Sequence, residues 1–299
     1  MMKFKFTFSL LILIPFVGIM SQQPIIVSED SLKIGKSLLP GLSVTIPEAN
    51  YDKALKAWIK ELQAGTKSDV VTENEEMTIF GAKLKGISPN PLNVYSRIIK
   101  LDSMLKLYVA LEVKKDEYIE KASRNSEYIK VEDYIREFSK NQYLDVAKDQ
   151  MDQEGDKLRD LQKELSSLEN EKSKMLKSIQ SDESTILNEK DNITIQNNEL
   201  NSVGSSLSEQ KSLLAGMEAG AAQKEKAEQV KDLEKRKKKA LNSIESSENK
   251  ITKMNNAIDK ANSQIPQNEA MQEKLREQII VQEGIYQKYA DKLQKIKAY

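Results

Sequence analysis

Glu73, Glu75 and Glu76 form the dense carboxylate group of the first 125 residues. Carboxylates this close can hold a hard cation through oxygen, or split acid and base roles between a protonated and an ionised member. They can also simply solvate a turn. The flanking stretches VVT and MTIF read as strands, so the turn reading is preferred. The chain contains no His and no Cys. An imidazole base, a thiolate, a disulfide and a zinc site of the usual ligands are therefore excluded. Losing His removes the commonest general acid and base. The expectation is no enzymatic activity, no cofactor and no metal centre, with a hydrolase built on Glu75 and Glu76 as the alternative.

Other groups carry recognition chemistry. Tyr95, Arg97 and Tyr108 fall on one face of a strand pair, where rings and a guanidinium could bind a peptide or glycan. The run Lys235, Arg236, Lys237, Lys238 and Lys239 lacks the aromatic or further basic support of a nucleic-acid surface and reads as a solvated helix face. Gly216 and Gly220 form GxxxG in surroundings too polar for a membrane dimer, and no Gly-Lys-Ser/Thr follows to make a phosphate loop. The Asn192-Ile193-Thr194 sequon sits in a helical pattern and is read as chance. Ser88 to Pro91 is a rigid connector.

Elements must position these groups. Charged residues are 31% of the chain and aromatics 6%, too polar for one large core. Lys plus Arg and Asp plus Glu both number 46, so no global field draws nucleic acid or anionic lipid. Lys3 and Lys5 precede an apolar run from Phe6 to Met20, a stretch that fits a secretory signal better than a bilayer span of about 20 residues. Cleavage is expected between Ser21 and Gln22, leaving no integral membrane segment.

Residues 25–125 hold Trp58, Pro40, Pro47, Pro89 and Pro91, and read as a small α+β head. A strand is expected over 42–47. Asn50 caps a helix from Tyr51 to about Gln63, with Leu55, Trp58, Ile59 and Leu62 on one face. Two strands meet near Glu73 to Glu76. A hairpin turning at Asp102 and Ser103 puts Val94, Ser96 and Ile98 on one face of its first arm, and Leu105, Leu107, Val109 and Leu111 on one face of its second. The order gives one mostly antiparallel sheet covered by one helix, or by a second from the next segment.

Residues 130–299 read as a coiled coil. Steps of seven from Leu158 reach Leu165, Lys172, Ile179, Ile186, Ile193, Leu200, Leu207, Leu214 and Ala221, and a companion ladder starts at Leu161. A second phase starts at Val230 and Leu233 and runs to Leu293 and Ile296, two residues out of step with the first. The slip falls near Gly216 and Gly220. This predicts an antiparallel helical hairpin with arms of about 130–217 and 222–297 and a tip at about 216–224; a straight oligomeric rod with a stutter is the competing reading. Asp182, Glu189, Gln196 and Gln210 in the first seam predict a loose middle. Pro266 predicts a kink.

The leader, the stretch VTIPEANYDKALKAWIKEL, the ISPNPLNVYSRI hairpin arm and the charged coil, in that order, resemble a family of exported Gram-negative bacterial proteins. These pair a small α/β head with a long coiled coil. The resemblance implies a periplasmic or secreted setting and carries over no catalytic residues. The function expected is a scaffold or spacer of the cell envelope, acting through protein partners or self-association of the coil. The alternative is a periplasmic chaperone-like clamp, which the neutral charge disfavours.

Overall fold

The computed structural model describes residues 24–34 and 37–299. The expected signal, with Ser21 and Gln22, lies outside them. The described chain divides into two compact units. One runs through Gly155 and takes in Gly284–Tyr299; the other is Asp156–Glu283.

In the first unit, seven strands form one antiparallel sheet: β1 (Val27–Ile34), β2 (Ser37–Pro47), β3 (Val71–Glu73), β4 (Glu76–Ala82), β5 (Leu92–Lys100), β6 (Met104–Lys114) and β7 (Glu117–Tyr118). The spatial order is β1-β2-β6-β5-β4-β3, with β7 pairing on β6. Alternation does what the sequence predicts: Val94, Ser96 and Ile98 of β5 and Leu105, Leu107, Val109 and Leu111 of β6 are buried. Helix α1 (Tyr51–Leu62) covers this face with Ala54, Trp58 and Leu62, and the Asn50 side chain accepts from the Lys53 N–H at 3.1 Å.

The long helix α2 (Asn125–Ala215) starts five residues before the expected stalk and supplies the second covering helix. Tyr128, Val131, Ile135 and Phe138 of its first turns join the head core, and the Phe138 ring meets Trp58 edge-on at 4.9 Å. The head is therefore larger than 25–125, because the sheet's apolar face is too wide for α1 alone. A polar bond crosses this core: the Trp58 indole N–H donates to Ser96 Oγ at 2.9 Å. Ser96→Ala leaves that buried donor unpaired and should cost about 1–3 kcal/mol. Urea denaturation followed by fluorescence of Trp58, the chain's single tryptophan, measures it; an unchanged midpoint would show that the indole finds another acceptor.

The same unit closes around a charge cluster. Glu48 follows Pro47 with φ 56°, a left-handed conformation that turns its side chain out of line with β2. Its carboxylate accepts from Lys292 Nζ at 2.6 and 2.8 Å, from Gln150 Nε2 at 3.1 Å and from the Tyr143 hydroxyl at 3.3 Å. Lys292 also donates to Gln150 Oε1 at 3.0 Å, and its side chain is only 8% exposed. Beside it Tyr143, Ala147, Leu293 and Ile296 make a small second core. Burial by itself would raise the Glu48 carboxyl; the bonds from Lys292, Gln150 and Tyr143 outweigh it and hold the group below its ordinary 4.5.

In the second unit α2 and α3 (Ala221–Lys297) lie side by side in opposite directions. The ion pairs Lys172–Glu269 (2.6 Å), Glu189–Lys250 (2.7 Å), Glu199–Arg236 (2.6 Å) and Lys211–Glu234 (2.6 Å) run up one helix and down the other. Such pairs, with at least one partner largely exposed, add little stability, but they report the register. Both ladders from Leu158 to Met217 are buried or half-buried throughout, as is the second phase apart from Lys237. Glu189 and Gln210 of the polar middle have partners across the seam. Asn192 donates to Ser247 Oγ at 2.9 Å, Lys226 to Gln210 at 2.6 Å, and Lys250 and then Ser247 hold the Glu189 carboxylate below its ordinary value. Pro266 lies inside α3, which continues through it. Two residues on, the buried Asn268 amide donates to the Leu168 carbonyl of α2 at 3.1 Å, and Gln272 donates to Asn268 at 2.7 Å.

Candidate interaction surface

The face of the sheet opposite α1 is built row by row. Pairing aligns Glu73 with Glu76, Glu76 with Arg97, Arg97 with Tyr108, Tyr108 with Ser43 and Ser43 with Ser28. Side chains at paired positions share a face, so this is one continuous polar row across six strands. Tyr95 stands two residues along β5 on the same side. The structure therefore brings Tyr95, Arg97 and Tyr108 together, each half-buried.

The carboxylate trio ends this row without forming a site. Asn74 and Glu75 have φ 50° and 67°, the conformation of a two-residue hairpin turn twisted to match its strands. Glu73 and Glu76 are the flanking pair. Glu75 Oε2 lies 3.8 Å from Arg97 Nη2, a loose and largely exposed pairing. Among the described residues no group of three or more carboxylates is placed to hold a metal ion. Arg97 Nε is buried and has no hydrogen-bond partner among the described residues.

Two networks fix the rest of the face. Glu112 accepts from Asn93 at 2.8 Å, from the Asp116 N–H at 2.9 Å and from the Tyr95 hydroxyl at 3.2 Å. The Asn93 bond first, with the others, keeps Glu112 ionised, while burial and that charge push Tyr95 up to about 12. Tyr95 is thus a fixed neutral donor. Phe80, 58% exposed, packs edge-on to its ring at 6.3 Å, and Tyr118 lies tilted at 6.5 Å. Toward β1, Lys106 passes 4.7 Å over the Tyr108 ring to reach Asp30 Oδ2 at 2.9 Å, where Ser43 Oγ also donates at 3.1 Å. A hydroxyl, a carboxylate and an ammonium in contact invite a nucleophile reading. Yet Ser43 is fully buried, and the Asp30 bond raises Lys106, so the ammonium keeps its proton and cannot serve as base. The face thus presents aromatic edges and held charges.

The sequence placed Gly216 and Gly220 at the hairpin tip. They lie in the turn between α2 and α3, where the Gly216 N–H donates to the Leu213 carbonyl at 3.1 Å and the Lys224 N–H to the Gly220 carbonyl at 3.2 Å. Neither has positive φ, and a Cβ at Gly220 would meet nothing. Glycine is not geometrically required there, and the turn also carries the half-buried Met217 and the exposed Glu218.

No family model and no curated protein matches the chain. Among solved structures it is similar to a coiled-coil segment of Pyrococcus yayanosii Smc, at 18% identity and a TM-score of 0.39, over 55% of this chain and 71% of that one.

Proposed function

We propose that this chain is an exported, non-enzymatic scaffold protein in which an intramolecular coiled coil serves as spacer and the open sheet face of the head engages a protein or glycan of the cell envelope. The observation that carries the reading is the row containing Arg97 and Tyr108, with Tyr95 and the exposed Phe80 beside it. Aromatic edges and a partly exposed guanidinium suit them to contact. The seam residues of the two helices face each other, and this polar face with its aromatic edges is the surface offered to a partner. The Lys3 to Gln22 pattern supports export.

Full-chain bait should retain a defined set of envelope components that Phe80→Ala with Arg97→Ala loses at least about tenfold, while Lys238→Ala retains it. Equal retention by both variants would remove the sheet face from the reading. Fractionation with amino-terminal sequencing tests export: a mature chain starting elsewhere than Gln22 shifts the cleavage site, and cytosolic residence of the intact chain refutes export.

A further inference from the structure

β1 is an edge strand. It pairs only with β2 and is eight residues long, whereas the opposite edge, β3, has three. Which of its backbone groups face outward follows from two bonds. The Ile26 carbonyl accepts from the Thr45 N–H at 3.0 Å, so even-numbered residues here point toward β2. The Ser31 N–H instead bonds its neighbour's side chain, Asp30 Oδ1, at 2.8 Å, so odd-numbered residues point away. Pro40, which lacks an N–H, is the partner of Ser31 and costs nothing at such a position. The outward peptide groups therefore belong to Glu29, Ser31 and Lys33, all exposed.

Charged residues usually protect an edge from pairing. Here their spacing is self-complementary. A second copy laid antiparallel across a two-fold axis at Ser31 sets Ser31 against Ser31, and sets Glu29 of each copy against Lys33 of the other. Residues with outward N–H and C=O then face one another, each pair exchanging both N–H···O bonds. Register by charge and register by hydrogen-bond phase agree. We infer that the head forms a homodimer by antiparallel β1–β1 pairing, continuing the sheet through both copies. The Asp30 cap on the Ser31 N–H must swing aside, and the Tyr128 hydroxyl already bonds Glu29. The dimer is accordingly weak and reversible. Glu29 retains acceptor capacity for a second donor.

Sedimentation equilibrium of the full chain, from about 1 µM to about 1 mM, reads the dissociation constant. Glu29→Lys places lysine opposite Lys33 twice and should weaken the dimer at least about tenfold; Lys33→Glu should do the same with glutamates. The double variant Glu29→Lys with Lys33→Glu regenerates the complementary pairs and should recover the original constant. Unchanged thermal melting identifies variants that remain folded. Three results overturn the inference: a monomer throughout the range, a dimer indifferent to both single changes, or a double variant no better than the singles. Indifference to the single changes would assign self-association to the helices instead.

Discussion

Gly41→Ala should unfold the middle of the sheet, at a cost of about 3 kcal/mol or more. Gly41 is the central glycine of β2, and a Cβ built on it lies 2.2 Å from the Val109 carbonyl oxygen, 2.9 Å from that carbonyl carbon and 3.0 Å from the Ala110 Cα. Every atom it meets is β6 backbone. No side chain can rotate away, so relief requires pulling β2 from β6, the strand that joins the two halves of the sheet. Gly86→Ala is the control, since nothing lies within 4 Å of its added Cβ and its φ is not positive. Urea denaturation read through Trp58 should show a large fall in midpoint for the first and almost none for the second. Equal midpoints would mean that β2 can slide without losing its pairing.

Lys292→Met should cost about 2–3 kcal/mol and reverse the sign of a pH effect. Removing one partner of a mostly buried ion pair leaves the other charge uncompensated. In the natural chain the Glu48 carboxyl is held below 4.5. Its contribution is therefore present above the unfolded value and is lost as pH falls through the lower folded value. In the variant the ammonium is gone and burial, which raises the group, acts against only the Gln150 and Tyr143 bonds. The penalty on the ionised carboxylate is then relieved as pH falls. The difference in stability between the two proteins should shrink from pH 7 to about pH 3. A difference independent of pH would show that Lys292 acts through the packing of its stem alone. Glu48→Gln with Lys292→Met should cost less than Lys292→Met, because no stranded charge remains.

Much of the architecture was legible because period reveals burial. The β5 and β6 arms alternate cleanly, since one face is core and the other is not. From Leu158 to Ile296 the heptad ladders predicted every buried helix position but Lys292, while the buried residues of α2 before Leu158, which pack in the head, lie on neither ladder. β1 was invisible: VSEDSLKI belongs to an edge strand with little core to touch, so it carries no alternation to read. β7 is two residues long and has no period. The row from Glu73 to Ser28 was read only for the β5–β6 hairpin, where one short turn fixes the register; β4 reaches β5 through residues 83–91, and β2 pairs with β6 across residues 48–103. The Glu48 cluster was not legible at all. It joins residues far apart in the chain, and a left-handed glutamate has no sequence signature, unlike glycine. The polar seam misled in the other direction, because polarity alone cannot tell an open coil from one whose Asn192 and Ser247 find each other. At the helix break the change of ladder phase was the informative signal, since neither Gly216 nor Gly220 has a positive φ.

The matched pairing of the two long helices, from Lys172 with Glu269 to Lys211 with Glu234, constrains how the chain can change length. Both the start of α2 and the end of α3 belong to the head unit, Tyr143 beside Ile296. A heptad inserted into α2 alone would displace every partner between it and the turn, or be expelled as a loop. The same heptad inserted opposite itself in α3 would disturb none of them. Insertions and deletions in these segments should therefore be tolerated only as compensating pairs, making the length of the helix pair one that evolution can alter in coupled steps of seven.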